Sequence, residues 1–463
     1  MSKMPCCRSW SVLALVSSVC ALTIGTALFA ISARSSEGPS AKVSIPPMTK
    51  EELHDYQDQM REALLVAGAF EGSDEWLIPD STSWKAIKWL VLEDPMRPVP
   101  SDRVVQRFAL AHMYYHWSGG WLLESADGWI QPNTGHECAW AGVACDEDGL
   151  VVGLKSVEDV SNWFGIIPET VGYLTRLREL QAPETGLVGI PEALYSLTSL
   201  ERLNLIGNAL TELSPRLGEL TNLRELALES NFLSGEFPTT LSSLSNLREL
   251  RLASNVGIRG NLWSTALNWT SIEVLQIDGT SLEGSVPTEI SSLSSLRELH
   301  LSNTPVSGQL PTELGDCTNL EQLNGHWSNI DGTIPTEVGY LTNLLYFGFT
   351  SNNFVSTLPT EVGKLSRLEI LDVSLSDGLT GTIPTEYGNL TNLLSLRLQW
   401  IPGLGGPFPV ALSRLTSLEE LSIRGTSLTG TVPLCGVATM SADCSSAGME
   451  APIECECCTR CFG

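Results

Sequence analysis

Leu220-Thr-Asn-Leu223-Arg-Glu-Leu226-Ala-Leu228-Glu-Ser-Asn231-Phe-Leu233-Ser-Gly235-Glu-Phe237-Pro238 is the stretch that decides the fold. Its core, L-x-x-L-x-L, alternates with period two, so leucines point one way and the intervening residues the other. Asn231 follows where the strand must end, and its amide can turn inward to satisfy backbone groups freed there. Gly235 then permits a tight turn ahead of Pro238.

Working outward, the frame recurs from Leu174, Leu197, Leu244, Trp269, Leu293, Cys317, Leu341, Leu365, Leu390 and Leu415. A degenerate copy covers residues 150–173, which makes twelve units. The prolines from Pro168 to Pro433 recur at intervals of 23 to 25, with one interval of 49 in which Trp263 takes the proline's place. One such unit cannot bury its leucines alone, so neighbours must stack into a continuous apolar column. Thr280, Thr304 and Ser328 stand in the Asn place of three units and keep a hydrogen-bonding side chain there. Cys317 stands at a Leu position and reads as a small buried hydrophobe.

Ahead of the repeats, helical patterns run over 51–67, entered by the Thr49–Glu52 capping box, and over 81–92 and 101–117. They predict a helical N-terminal cap across residues 49–149. Residues 34–48 lack periodicity and read as a linker. Residues 10–33 are 24 positions without a charge, preceded by Lys3 and Arg8 in the short end 1–9. A spanning helix needs about 20 apolar residues, against roughly 7–15 for a signal-peptide core. The run therefore predicts a retained transmembrane signal-anchor with the rest of the chain outside, the alternative being a cleaved signal and a secreted product. Cys6 and Cys7 are weak candidates for palmitoylation.

The formal charge is −26, from 53 acidic against 27 basic residues. That argues against nucleic acid and anionic lipid heads as partners, and favours a cationic one. Six of the twelve cysteines crowd the last 29 residues: Cys435, Cys444, Cys455, Cys457, Cys458 and Cys461. Such clustering fits an oxidising compartment and a disulfide-stapled C-terminal cap over 439–463, with zinc as the minor alternative. The sequons Asn268-Trp-Thr270 and Asn389-Leu-Thr391 fit the same exposure.

The frame L-x-x-L-x-x-L-x-L-x-x-N-x-L-x-G-x-I-P, over residues 150–438, closely resembles the plant-specific class of leucine-rich repeats. That class is found in receptor-like protein and receptor-like kinase ectodomains and in polygalacturonase inhibitors. Glu137-Cys138-Ala-Trp140-Ala-Gly142-Val-Ala-Cys145-Asp146 resembles the same family's N-terminal cap signature. The resemblance implies a Cys138–Cys145 disulfide. It also implies an α/β fold: a right-handed solenoid whose concave parallel sheet recognises protein, peptide or glycan. Two departures stand out: within these 463 residues no kinase follows the repeats, and the C-terminal tail is denser in cysteine than the family's usual cap.

Signatures of catalysis are missing: no G-x-S-x-G, Walker loop, G-x-G-x-x-G or H-E-x-x-H occurs. No cofactor and no enzymatic activity are expected. His112 and His116 have metal-compatible spacing without a third ligand, so packing is the better reading. The Glu289, Glu313, Glu337, Glu361 and Glu386 ladder reads as carboxylates opening short helical turns rather than as a calcium stripe. Outward strand positions turn aromatic in the second half, and the alternation predicts a concave ligand site from His300, Asn324, His326, Trp327, Tyr346, Asp372, Arg397 and Trp400. The leading reading is a membrane-anchored extracellular receptor-like or adhesion module. A secreted or wall-bound hydrolase inhibitor and a structural coat component are the alternatives.

Overall fold

The structure is a computed structural model that describes residues 49–66, 78, 80–96, 99, 101–118, 135–156, 165–434, 436–443, 453–454 and 460–462. The predicted span 10–33 and the linker fall outside these residues, as do the side chains of all six C-terminal cysteines. No helix among the described residues is long and apolar enough to cross a membrane.

The cap helices form where the apolar spacing placed them: α1 is Lys50–Val66, α2 Thr82–Leu92 and α3 Ser101–Ser118. Ser81 opens α2 by accepting the Trp84 N–H at 3.1 Å, which satisfies one of the first turn's orphan donors. Cys138 and Cys145 are disulfide-bonded.

Beyond the cap, the described residues build one 15-stranded sheet. The first strand, Val143–Cys145, is antiparallel to Val151–Lys155, and every later neighbour is parallel. The register repeats without slippage: Leu180, Leu203, Leu226, Leu250, Leu275 and Leu299 each sit opposite the same residue of the next coil. All six are fully buried, and burying a leucine side chain contributes about 1.5–3 kcal/mol. Parallel neighbours demand a crossover, here the five-residue 3₁₀ turns behind each proline, such as Thr336–Tyr340 after Pro335. At the long proline interval a short α-turn, Trp263–Ala266, replaces the 3₁₀ turn. The buried Trp269 then fills a leucine place, its indole N–H donating to the Leu241 carbonyl at 2.9 Å.

The architecture is the right-handed leucine-rich-repeat solenoid the frame predicts. Two features go beyond that reading. Short parallel strands also form after the Asn position, among them Ser307–Gln309, Asn329–Gly332 and Asn353–Phe354. The main sheet also continues past 438: Thr439–Asp443 pairs with Glu420–Ser422, and Arg460–Phe462 with Thr439–Asp443. At backbone level, the stretch read as a Cys-rich cap adds two strands to the main sheet.

The Asn position works as its chemistry requires. The Asn231 amide donates to the carbonyls of Leu205 and Leu228, and its oxygen accepts the Leu210 N–H. Thr280 and Thr304 donate to carbonyls of their own coils, Ile277 and Leu301.

Candidate functional site

The three-residue strands Gln322–Asn324, Tyr346–Gly348, Ile370–Asp372 and Ser395–Arg397 lie side by side. They carry the central part of the predicted site on their outward face. Gly348 leaves a bare patch there; a Cβ on it would lie 2.4 Å from the Tyr346 ring and 2.7 Å from His326 Nε2. Tyr346 uses that space to lie over the sheet, half-buried, instead of standing proud. Its ring meets His326 edge-on at 6.0 Å, and Trp327 is also 6.0 Å from His326.

His326 is held from every side. Its backbone N–H donates to Ser302 Oγ at 3.0 Å, and Ser302 Oγ–H in turn donates to the Asn324 oxygen at 2.5 Å. Nδ1 accepts the Thr350 backbone N–H at 2.8 Å, so Nε2 carries the ring's hydrogen and donates to the Tyr346 hydroxyl at 2.6 Å. Burial pushes His326 below the ordinary imidazole range, which favours this neutral tautomer. Burial also raises the Tyr346 phenol, keeping it protonated. Among the described residues, nothing accepts the Tyr346 hydroxyl's own hydrogen.

Next along the sheet, Arg397 donates to Glu420 at 3.0 and 2.6 Å and lies 3.6 Å from Asp372. Its hydrogen bond to Glu420 raises Arg397 and holds Glu420 below the usual carboxylate range. Asp372, expected to be accessible, is only 5% exposed and accepts the Ser374 N–H and hydroxyl. It braces the site from below. His300, one coil before Asn324, stands apart between Asp278 at 3.9 Å and Glu298 at 3.6 Å.

Trp327 and Trp400 correct the expected register. They are not on strands; each follows one, in the turn residue just before the Asn place, with φ of +50° and +59°. Every coil bends into the left-handed region here. Elsewhere the residue is Gly207, Gly279 or Gly425, or Glu184, Ser230, Ser254, Asn303 or Ser351. Left-handed φ costs a bulky side chain on the order of 1–3 kcal/mol, yet Trp327 remains 62% and Trp400 45% exposed. Leu375 at the same place is 42% exposed. The rings thus form a rim at the strand exits, beside the concave face. The Arg424 guanidinium stacks 4.9 Å from the Trp400 ring.

Alternation along the strand could not place these two tryptophans, because it ends with the strand. The Gly-or-Ser preference immediately before the Asn was the legible signal for the turn. Sequence reading also missed Gly325 at an inward position, where the Phe349 ring from the next coil fills the space a side chain would take.

No group of His, Cys, Asp or Glu suited to a metal occurs among the described residues. The Leucine Rich Repeat family model matches residues 222–244 and 295–317. No curated protein matches the chain. Among solved structures, the plant peptide hormone receptor RGFR1 in complex with RGF2 is 31% identical at a TM-score of 0.58, over 66% of this chain and 53% of that one. The ectodomain of the Arabidopsis thaliana receptor kinase GASSHO1/SCHENGEN3, in complex with CASPARIAN STRIP INTEGRITY FACTOR 2, is 31% identical at 0.59, over 68% and 42%. The Arabidopsis receptor kinase HAESA, in complex with the peptide hormone IDA and the co-receptor SERK1, is 25% identical at 0.64, over 74% and 59%. The chain thus spans about half the length of these relatives. Repeat frame, coil geometry and these likenesses agree: the chain is a leucine-rich-repeat protein of the plant type.

Proposed function

We propose that the repeat domain is an extracellular recognition module that captures a peptide or protein ligand on the second half of its concave sheet. The observation that carries this reading is the braced His326–Tyr346 pair, which leaves a phenolic O–H free to meet an acceptor on a ligand. Asn324 and Arg397 flank it, and His300 extends the polar face by one coil. Two similar structures are a peptide hormone receptor in complex with RGF2 and a receptor kinase in complex with a peptide hormone, which supports the ligand class. The scaffold acts by binding rather than by catalysis.

The chain would be held at a membrane by residues 10–33, with the repeats on the lumenal or extracellular side. The exposed sequon residues Asn268 and Asn389 would then carry glycans. N-terminal sequencing of the mature protein with membrane fractionation tests the anchor; a soluble product starting near residue 34 refutes it.

Random peptide display on the full chain tests the site. A peptide selected on the wild type should bind Tyr346→Phe about 2–12-fold more weakly, the worth of one hydrogen bond. Unchanged binding in both Tyr346→Phe and His326→Ala would place the ligand elsewhere.

A further inference from the structure

The turn rim carries a second opportunity for binding that does not use the His326–Tyr346 pair. Trp327 and Trp400 stand three coils apart, about 14 Å along the stack at about 4.8 Å per coil. Between their coils lies a shallow trough of about 390 Å³, lined by Ser351, Asn353, Val355, Leu375 and Asp377. Asn353 and Asp377 are exposed and offer amide and carboxylate groups to hydroxyls. Leu375 and Val355 supply an apolar floor, 42% and 64% exposed.

We propose that this rim binds a linear, uncharged oligosaccharide, its end rings on the two indoles and its hydroxyls on Asn353 and Asp377. Four observations favour that occupant. Flat, exposed indoles offer stacking platforms to the C–H faces of pyranose rings. The span of about 14 Å suits roughly three rings end to end. Asp377 and the net charge of −26 repel polyanionic glycans. The trough is open and shallow, without the enclosed pocket that a buried peptide anchor requires. The strained turn adds a fifth argument: glycine, serine or asparagine serves this turn in most other coils, with Glu184 and Leu375 the exceptions, so both tryptophans hold a costly conformation that folding does not require. The bare backbone of Gly425 braces the Trp400 ring, since a Cβ there would come within 2.5 Å of it.

The test uses the full chain with cellohexaose, chitohexaose and laminarihexaose in separate calorimetric titrations, with tryptophan fluorescence as a second readout. At least one should bind with Kd below about 1 mM. Trp327→Gly and Trp400→Gly relieve the left-handed strain, so both should keep or raise Tm. Each should nevertheless weaken binding about tenfold or more, while Tyr346→Phe leaves it unchanged. That last arm separates this site from the concave one. The proposal fails if no oligosaccharide binds the folded wild type, or if both glycine variants bind as wild type. It also fails if these variants lose the display-selected peptide while glycan binding persists, since the rim would then belong to the peptide site.

Discussion

Arg107 in α3 offers the sharpest test of how the cap is held together. Its guanidinium is fully buried and donates to both Asp94 oxygens at 2.8 and 2.6 Å, to Glu137 at 2.5 Å and to the Gly135 carbonyl at 3.1 Å. It lies 5.4 Å from the ring centres of Trp89 and Trp140. Burial works against the Glu137 carboxylate, but hydrogen bonds from Gln106 and the charge of Arg107 hold it below the ordinary range. Arg107→Ala would leave the Asp94 and Glu137 side chains, both 0% exposed, without their main counter-charge. Removing one partner of a buried ion pair costs about 3–5 kcal/mol, and lost stacking on the two indoles adds about 0.5–2 kcal/mol. Urea unfolding followed by tryptophan fluorescence should therefore show a destabilisation of about 4 kcal/mol or more. The variant should also regain stability as pH falls, because unpaired buried carboxylates have raised folded-state values and the folded form then binds the extra protons. Combining Arg107→Met with Asp94→Asn and Glu137→Gln should recover part of the loss, since both carboxylate charges are gone and only Arg103, 2.9 Å from Glu137, loses its counter-charge. A cost below about 1 kcal/mol for Arg107→Ala, with no pH dependence, would refute the reasoning and imply that water reaches both carboxylates.

His112, whose ring nitrogens meet Thr82 and Thr170 hydroxyls at 3.1 and 3.2 Å, is lowered to about 4 by burial and by His116. The unfolded chain binds the proton at about 6.5, so stability should fall as pH drops from about 6.5 towards 4, by up to about 3 kcal/mol. His112→Gln should flatten that slope in a pH series of urea melts, and an unchanged slope would assign it to other groups. Reducing the Cys138–Cys145 bond removes a loop constraint worth about 2.5 kcal/mol, read as a lower cap transition under dithiothreitol; an identical melt with and without reductant rules this out. Asn231→Ala should cost about 1–3 kcal/mol, because the buried Leu210 N–H loses its partner, while the Leu205 and Leu228 carbonyls keep the amides of Asn208 and Asn255. Asn231→Thr should restore part of it, as Thr280 serves in its own coil, and equal losses in both variants would show that the own-coil bond contributes nothing.

Much of the fold was legible because the leucine period and the stacking requirement leave few alternatives. The three cap helices begin and end within one residue of their apolar patterns, and the parallel register follows from Leu180 to Leu421. The site was less legible, for local reasons. Strands of three residues give alternation little room, so Trp327 and Trp400, beyond the strand end, were assigned to the wrong surface. Asp372 occupies an outward strand position, yet the Ser374 hydroxyl and Arg397 draw it into the sheet. Tyr346 lies flat because Gly348 has no side chain, a dependence between two positions that no single position announces. The continuation of the sheet beyond 438 lacks the leucine frame, with Met440 standing where Leu421 stands one coil earlier.

The uneven Asn ladder sets where the rod can come apart. Asn208, Asn231, Asn255 and Asn352 each hook the preceding coil with a side-chain amide. Ser328 does so with its hydroxyl, on the Leu301 carbonyl; Thr280 and Thr304 make no such hook, and beyond Asn352 Ser376 Oγ has no partner among the described residues and Ile401 has no polar group to offer. In a one-dimensional array, stability is a sum of unit terms and nearest-neighbour couplings, so links lacking this bond are the weaker springs. Pulled from its ends, the solenoid should therefore yield in blocks, one ending near Asn255 and another near Asn352. Hydrogen exchange should likewise group coils 182–255 into a single opening event. The concave pair at His326 and Tyr346 would lie inside the second block, while the rim between Trp327 and Trp400 would straddle its far boundary, so a ligand spanning both tryptophans would act as a splint across the seam.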